Sequence, residues 1–327
     1  MTIETNSVTG IYDISDYSSL SGDLLYAPVT VNNNGVSVKS NISTFTTPET
    51  KSPLEGKIYG GVVDSTIQFT GDFRDIVEIS KLIGNAAVIS SGDYTRTVYS
   101  SLTETKKPDI RRTILQSTTD GSVNNGYAFD NCRLSSVGLS GVINNPIKES
   151  LNYIGGKITP ITTYPTLNYY APSGPTHFDF SSVKLEYDIG SLVTIPITMF
   201  QLTMALSGLS PIRTDENNGF SDRYIKDWRN GVLVTQFGFS WQRDPTMPTI
   251  KDLLKNMLTS DDDYRFILTL DNGTNKVKFQ FTDAKPSGSN YKSIPIVGTS
   301  ETIETLNFLV STIGIQSNET IDIARYA

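Results

Sequence analysis

The stretch Glu149-Ser150-Leu151-Asn152-Tyr153-Ile154 recurs as Glu304-Thr305-Leu306-Asn307-Phe308-Leu309, with three identical and three conservative positions. The offset is 304 − 149 = 155 residues, close to half of the 327-residue chain. Working back from each copy gives the same succession of patterns. Gly61-Val62-Val63 opens a segment that places Val63, Ser65, Ile67 and Phe69 on one face, and Gly231-Val232-Leu233 opens another with Leu233, Thr235, Phe237 and Phe239 in the matching places. Alternation with period two over this length predicts a strand with one buried face.

Each of these strands leads into helical spacing. Phe73, Ile76, Val77, Ser80 and Ile83 are expected on one side of a helix that Gly84 stops; Ile250, Leu253, Leu254, Met257 and Leu258 form the second set, entered through Pro248 and Thr249. Helices this short persist only when laid against a sheet. In the second half Asp271-Asn272-Gly273 is a hairpin turn signal between Tyr264 to Leu270 and Asn275 to Thr282. Phe266, Leu268 and Leu270 alternate on one arm, and Val277, Phe279 and Phe281 on the other. In the first half, Tyr127 to Leu139 takes the final-strand role. The order strand, helix, hairpin, Glu-Ser/Thr-Leu-Asn strand therefore occurs twice, which predicts a duplicated domain; the competing reading is two unrelated β segments that match by chance.

The expected fold class is mainly β with short helices. The expected organisation is an N-terminal arm over 1–20, a first domain over 21–158, a linker over 159–178 and a second domain over 179–327. The linker carries Pro160, Pro165, Pro172, Pro175 and Gly174, a composition that keeps a chain extended while letting it turn. Asn41 to Tyr59 and Ser210 to Arg229 precede the Gly-Val strand of their halves and read as long loops without periodicity. The second is rich in both signs of charge, with Arg213, Asp215, Glu216, Asp222, Arg223, Lys226, Asp227 and Arg229. Loops this long are functional or disordered.

The formal net charge is −7. An acidic chain is a poor grip on a phosphate backbone and a good wall for one that must slide past. The single cysteine, Cys132, excludes an internal disulfide, and His177 is the one histidine. Met1 to Leu20 lacks the basic start and apolar centre of a secretory signal, and no apolar run has the length of a membrane span. The Asn-x-Ser/Thr matches at Asn41, Asn272 and Asn318 then read as chance, and maturation in a cytoplasm is expected.

The chain has no phosphate-binding glycine loop, no His-Glu-x-x-His, no Gly-x-Ser-x-Gly and no cysteine pair at zinc spacing. Asp261-Asp262-Asp263 lacks the spaced ligands of a calcium loop and reads as a solvated turn. His177 with Asp179 and Cys132 reads as surface or packing, and Lys106, Lys107, Arg111 and Arg112 as a solvated or salt-bridging cluster. No catalytic, metal or cofactor site is expected, and the chain is not expected to be an enzyme.

Ala205 to Trp241 carries Leu206-Ser207-Gly208-Leu209-Ser210, a charged segment, then Trp228-Arg229-Asn230-Gly231-Val232-Leu233-Val234-Thr235-Gln236-Phe237. The first half carries Lys57-Ile58-Tyr59-Gly60-Gly61-Val62-Val63 and Phe129-Asp130-Asn131-Cys132-Arg133-Leu134. As a pattern of elements over most of 25–160 and 180–315, the chain resembles the tail tube proteins of long-tailed bacteriophages and archaeal tailed viruses. The resemblance implies two tandem domains, each of two orthogonally packed antiparallel sheets with one flanking helix. It implies rings of six such domains, hence three chains per ring, stacked into a tube through which viral DNA passes without specific binding. A hexamer of whole chains is the rival arrangement.

Partners implied are further copies of the chain and other tail proteins (terminator, tape measure, baseplate), with no membrane; the place is the virion tail, assembled in the host cytoplasm. Candidate contacts between subunits or rings are Pro48, Glu49, Lys51, Arg213, Asp215, Glu216, Arg223, Asp227, Trp228 and Arg229, together with the N-terminal arm. Candidate lumen-facing residues are Asp64, Thr66, Gln68, Gln236 and Ser240. The alternatives are another virion part of the same fold (tail terminator, baseplate hub, decoration protein) and a two-domain carbohydrate-binding adhesin using Trp228, Trp241 and tyrosines.

Overall fold

The computed structural model of the chain describes residues 8–14, 25–28, 31–48, 56–76, 79, 82–83, 86–87, 96–99, 110–117, 123–155, 158–160, 168–169, 177–188, 190–213, 225, 227–229, 231–242, 263–287 and 303–318. Among the described residues the chain is mainly β, with a large antiparallel sheet and almost no helix. In chain order the strands are β1 (Val8–Ile14), β2 (Leu25–Pro28), β3 (Val31–Pro48), β4 (Gly56–Asp72), β5 (Ala86–Ala87), β6 (Arg96–Tyr99), β7 (Ile110–Ser117), β8 (Val123–Val142), β9 (Lys148–Gly155), β10 (Ile158–Pro160) and β11 (Asn168–Tyr169). They continue with β12 (Val183–Asp188), β13 (Leu192–Ile195), β14 (Met199–Ser207), β15 (Ser210–Ile212), β16 (Asp227–Arg229), β17 (Val232–Gln242), β18 (Tyr264–Asp271), β19 (Lys276–Pro286) and β20 (Ile303–Ser317).

Alternation fixes which face of these strands is buried. Along β4, Ser65, Ile67 and Phe69 are buried while Gln68 is exposed; along β17, Thr235, Phe237, Phe239 and Trp241 are buried while Gln236 is exposed. A one-residue slip would turn every apolar side chain outward, so the register is strongly held. Aromatic rings close the space between layers in the second half. Phe237 on β17 stacks on Phe281 of β19 with centroids 4.3 Å apart, and Phe266 on β18 lies 4.8 Å from Phe308 of β20. Two β layers thus face each other across a ring-filled core, a sandwich-like arrangement.

Seven strand pairings of the first half have counterparts in the second. Antiparallel β1·β2, β1·β7, β7·β8, β8·β9, β8·β10, β4·β9 and β3·β4 correspond to β12·β13, β12·β18, β18·β19, β19·β20 (used twice), β17·β20 and β14·β17. β9 and β10 together occupy the place of β20. Registers agree as well. The row Val38–Ile67–Tyr153–Leu134 has as counterpart Leu202–Phe237–Phe308–Pro286. The offset from β4 to β17 is 237 − 67 = 170, and from β9 to β20 it is 308 − 153 = 155.

The quartet β3-β4-β9-β8 continues into the quartet β14-β17-β20-β19 through β8·β14, which pairs Leu139 with Leu202 and Gly141 with Phe200. Further links join the halves: β6 pairs with the end of β20, and the segment before β12 crosses the end of the first quartet. There the Phe178 N–H donates to the Phe73 carbonyl, the Ile147 N–H donates to the Phe178 carbonyl, and the Phe73 and Phe178 rings stack at 5.3 Å.

The hairpin signal at 271–273 is realised. The Asn272 Oδ1 accepts from the backbone N–H groups of Thr274 and Asn275, Gly273 takes φ +88°, and its N–H donates to Asp271 Oδ1. Three expectations are corrected. The segment 41–59 is largely paired β structure, since β3 and β4 continue as a two-stranded ribbon to Pro48 and Gly56, and Ser210–Ile212 pairs with Asp227–Arg229 as a second ribbon. The N-terminal arm contains β1, which lies between β2 and β7 in the position β12 holds in the other half. The linker contains part of β10 and β11, and Phe178 at its end is buried in the core. Of the first predicted helical face, Phe73, Ile76 and Ile83 are buried, together with Ile79 and Leu82, while Val77 and Ser80 lie outside the described residues. Ile250 to Leu258, the second predicted helix, lies outside the described residues.

Candidate functional site

The face opposite the aromatic core runs without interruption across both quartets. Register places its residues in rows. Gln68, Asn152, Ser136, Ala205 and Val234 form one; Thr70, Ser150, Gly138, Thr203, Gln236 and Leu309 the next; Asp72, Lys148, Ser140, Gln201, Gly238 and Asn307 a third. Small hydroxyl and amide side chains dominate, and they bond among themselves: Asn152 Nδ2 donates to Ser136 Oγ at 2.8 Å, and Ser135 Oγ to the Asn152 carbonyl at 2.9 Å. Among the described residues of β4, β8 from Ser136 on, β9, β14, β17 and β20 through Leu309, the charged side chains on this face are Asp64, Asp72 and Lys148, and each sits in an ion pair. Lys148 meets its register partner Asp72, and Asp64 meets Arg213. The face is polar and nearly neutral.

Both ribbons project from the same place, the end of the hairpin that starts each quartet. In the first half the register shifts between Ile42 and Thr44 before the ribbon begins. In the second, Gly208 has φ +78° and Gly231 lies so close to the opposing chain that a Cβ would stand 2.6 Å from the Ser207 carbonyl oxygen. Glycine is required there, and the ribbon bends at that point. Ile225 and Trp228, in and just before β16, are buried. Arg213, just past β15, bonds to Asp64 of β4 and ties the second ribbon to the first quartet.

The predicted residues fall as follows. Thr66, Gln68 and Gln236 share the polar face, and Gln68 and Gln236 are exposed. Ser240, expected with them, is 2% exposed, its hydroxyl 2.8 Å from Thr305 Oγ1, so it lines no open surface. Asp64 and Arg213, expected in separate roles, are partners within one chain. Trp228 is buried and not an open platform; Arg229 is exposed; Asp227 pairs through its backbone with Ile212, and Pro48 with Gly56. Glu49, Lys51, Asp215, Glu216 and Arg223 lie outside the described residues. Sequence reading missed the Asp72–Lys148 pair and an apolar patch on the polar face: Val232 is 59% and Leu309 45% exposed, with half-buried Val234 between them.

Among the described residues no group of three or more His, Cys, Asp or Glu is placed to hold a metal ion. His177 Nε2 stands 3.4 Å from Asp179 Oδ1, both well exposed. Asp263 Oδ1 lies 3.8 Å from Lys285 Nζ; Asp261 and Asp262 are outside the described residues. No helix among them is long and apolar enough to cross a membrane. No protein-family model matches the chain, and no curated protein matches it in sequence.

The Asp64–Arg213 pair is a register device more than a store of stability. With Asp64 43% exposed, water screens it, and Asp64→Asn is expected to lower unfolding stability by no more than about 1 kcal/mol. Urea denaturation followed by circular dichroism measures this. A loss of several kcal/mol would mean the pair is dry and isolated, contrary to its exposure.

Proposed function

We propose that this chain is a structural, ring-forming virion protein, the tube subunit of a viral tail, whose two halves are copies of one domain. The observation that carries the reading is the head-to-tail succession of two quartets with the same strand order and register. A succession of this kind is a heterologous contact: the end of one unit meets the beginning of the next, and such contacts close into rings or run on as filaments. Among the described residues β3, at the outer end of the first quartet, pairs only with β4. An exposed strand edge is a liability that closure by another copy removes. With two units per chain, three chains make six units, the number that the resemblance to tail tube proteins implies.

The polar face suits a conduit wall. A phosphate backbone gains affinity from Lys and Arg that displace counterions, and a face whose few charges are paired offers little of this gain. Short hydroxyl and amide side chains wet the surface without gripping the nucleic acid. In this reading viral DNA crosses the lumen without specific binding, and the other tail proteins meet the tube at its ends.

Negative-stain electron microscopy of the purified, concentrated chain tests the proposal. Hollow tubes of stacked rings with three chains per ring are expected. Single rings that never stack would point to a tail terminator of the same fold. A chain that remains a monodisperse monomer by light scattering at millimolar concentration would sink the reading.

A further inference from the structure

The second ribbon seats Arg213 on Asp64, so the ribbon of one unit rests on the unit before it in the strand order. The first ribbon, residues 44–48 paired with 56–60, belongs to the first of the two units, and among the described residues no quartet stands before its own in the strand order. We infer that this ribbon seats on the Val232–Val234–Leu309 patch of a second copy of the chain. The inference rests on the ring reading and names the surface by which the copies meet.

Register equivalence locates the receiving surface. Asp64 corresponds to 64 + 170 = 234, which is Val234, and Ile154 corresponds to 154 + 155 = 309, which is Leu309. The place that accepts Arg213 in the first quartet is therefore, in the second, half-buried Val234 in an apolar patch with exposed Val232 and Leu309 on a mainly polar face. The ribbons differ in the complementary sense. The second brings an arginine to a carboxylate. The first, Thr44-Phe45-Thr46-Thr47-Pro48 with Gly56-Lys57-Ile58-Tyr59-Gly60, carries a single charge in ten residues and three large apolar side chains. A ribbon with one charge and three large apolar side chains suits valines and a leucine, and an arginine suits Asp64. Patches of this kind on a soluble face mark contact sites, and the occupant is set by the repeat: only the beginning of another copy offers the matching ribbon. The junction within a chain thus contains an ion pair, and the junction between copies an apolar contact.

A photoreactive phenylalanine analogue placed at Val232 of the full-length chain, in an assembly mixed from isotopically heavy and light copies, reads the contact directly. Cross-links joining heavy to light chains within residues 44–60 are expected. Val232→Lys with Leu309→Lys, both at exposed positions, should leave the far-ultraviolet circular dichroism and melting temperature of the monomer unchanged. The same change should raise the concentration needed for assembly at least about tenfold. Assembled chains whose cross-links run only within one chain, or to other residues, would overturn this inference and leave the tube reading standing. A charge variant that assembles as readily as the parent would do the same. Failure of the unmodified chain to assemble would overturn both.

Discussion

Phe266→Ala is expected to lower the unfolding free energy by about 3–5 kcal/mol. Phe266 is fully buried on β18, and its ring meets four others: Phe308 at 4.8 Å, Tyr187 at 5.4 Å, Phe239 at 5.6 Å and Phe237 at 6.0 Å between centroids. Phe239 and Phe237 lie on β17, Phe308 on β20 and Tyr187 on β12, so this one ring bridges the two layers of the second half. Removing it leaves a cavity whose rigid aromatic walls collapse poorly. Domains are stable by only about 5–15 kcal/mol, so the loss is a large share of the total. Thermal and urea unfolding measure it; a change below about 1 kcal/mol would mean that the layers do not meet through this ring.

Gly141→Val is the second, and it acts by crowding. Gly141 is the register partner of Phe200 across β8·β14, and an added Cβ would stand 2.3 Å from Phe200 Cε1 and 2.9 Å from Phe180 Cδ2. Those rings are buried and stacked on each other at 6.3 Å, so neither can swing into solvent to make room. Overpacking of this kind costs about 1–3 kcal/mol, and a β-branched residue lies at the upper end. Hydrogen exchange should speed up along Ser136–Val142 and Met199–Ala205 before it does in the aromatic core around Phe266. The neighbouring Val142→Thr, at a position 44% exposed, is the control and should change little. Equal exchange in parent and Gly141→Val would show that the quartets are not joined at this point.

The parts legible in the sequence were those where one face of a strand is buried and the other wet. Ile67 and Phe69, Phe237 and Phe239, and Phe266, Leu268 and Leu270 announce themselves by period two because only one side of each strand meets the core. The turn at Asp271-Asn272-Gly273 was legible because its geometry is local. The ribbons were not: short paired segments such as Ser210–Ile212 and Asp227–Arg229 have no core-facing row to impose a period, so they read as loops. In the predicted helical face, Phe73 marks the end of the sheet and not a helical position. That residue still belongs to the sheet region, its N–H donating to the Ile147 carbonyl, while Ile76, Ile79 and Ile83 carry the helical spacing. Ser240 had the parity of the polar face, but depth is decided by what its row partners cover, and parity is silent on that. The Arg213–Asp64 pair joins positions 149 residues apart, and the patch at Val232, Val234 and Leu309 draws from two strands; no local pattern encodes either.

The β8·β14 pairing is made inside one polypeptide, which sets its kinetics apart from any contact between copies. Tethering gives its two strands a high effective concentration that dilution cannot lower. Its formation is therefore first order in chain, and a chain released from the proposed assembly would leave with its two quartets still docked. In the proposed tube, the piece that would disperse on dilution and gather on concentration is the two-unit block, never the single unit.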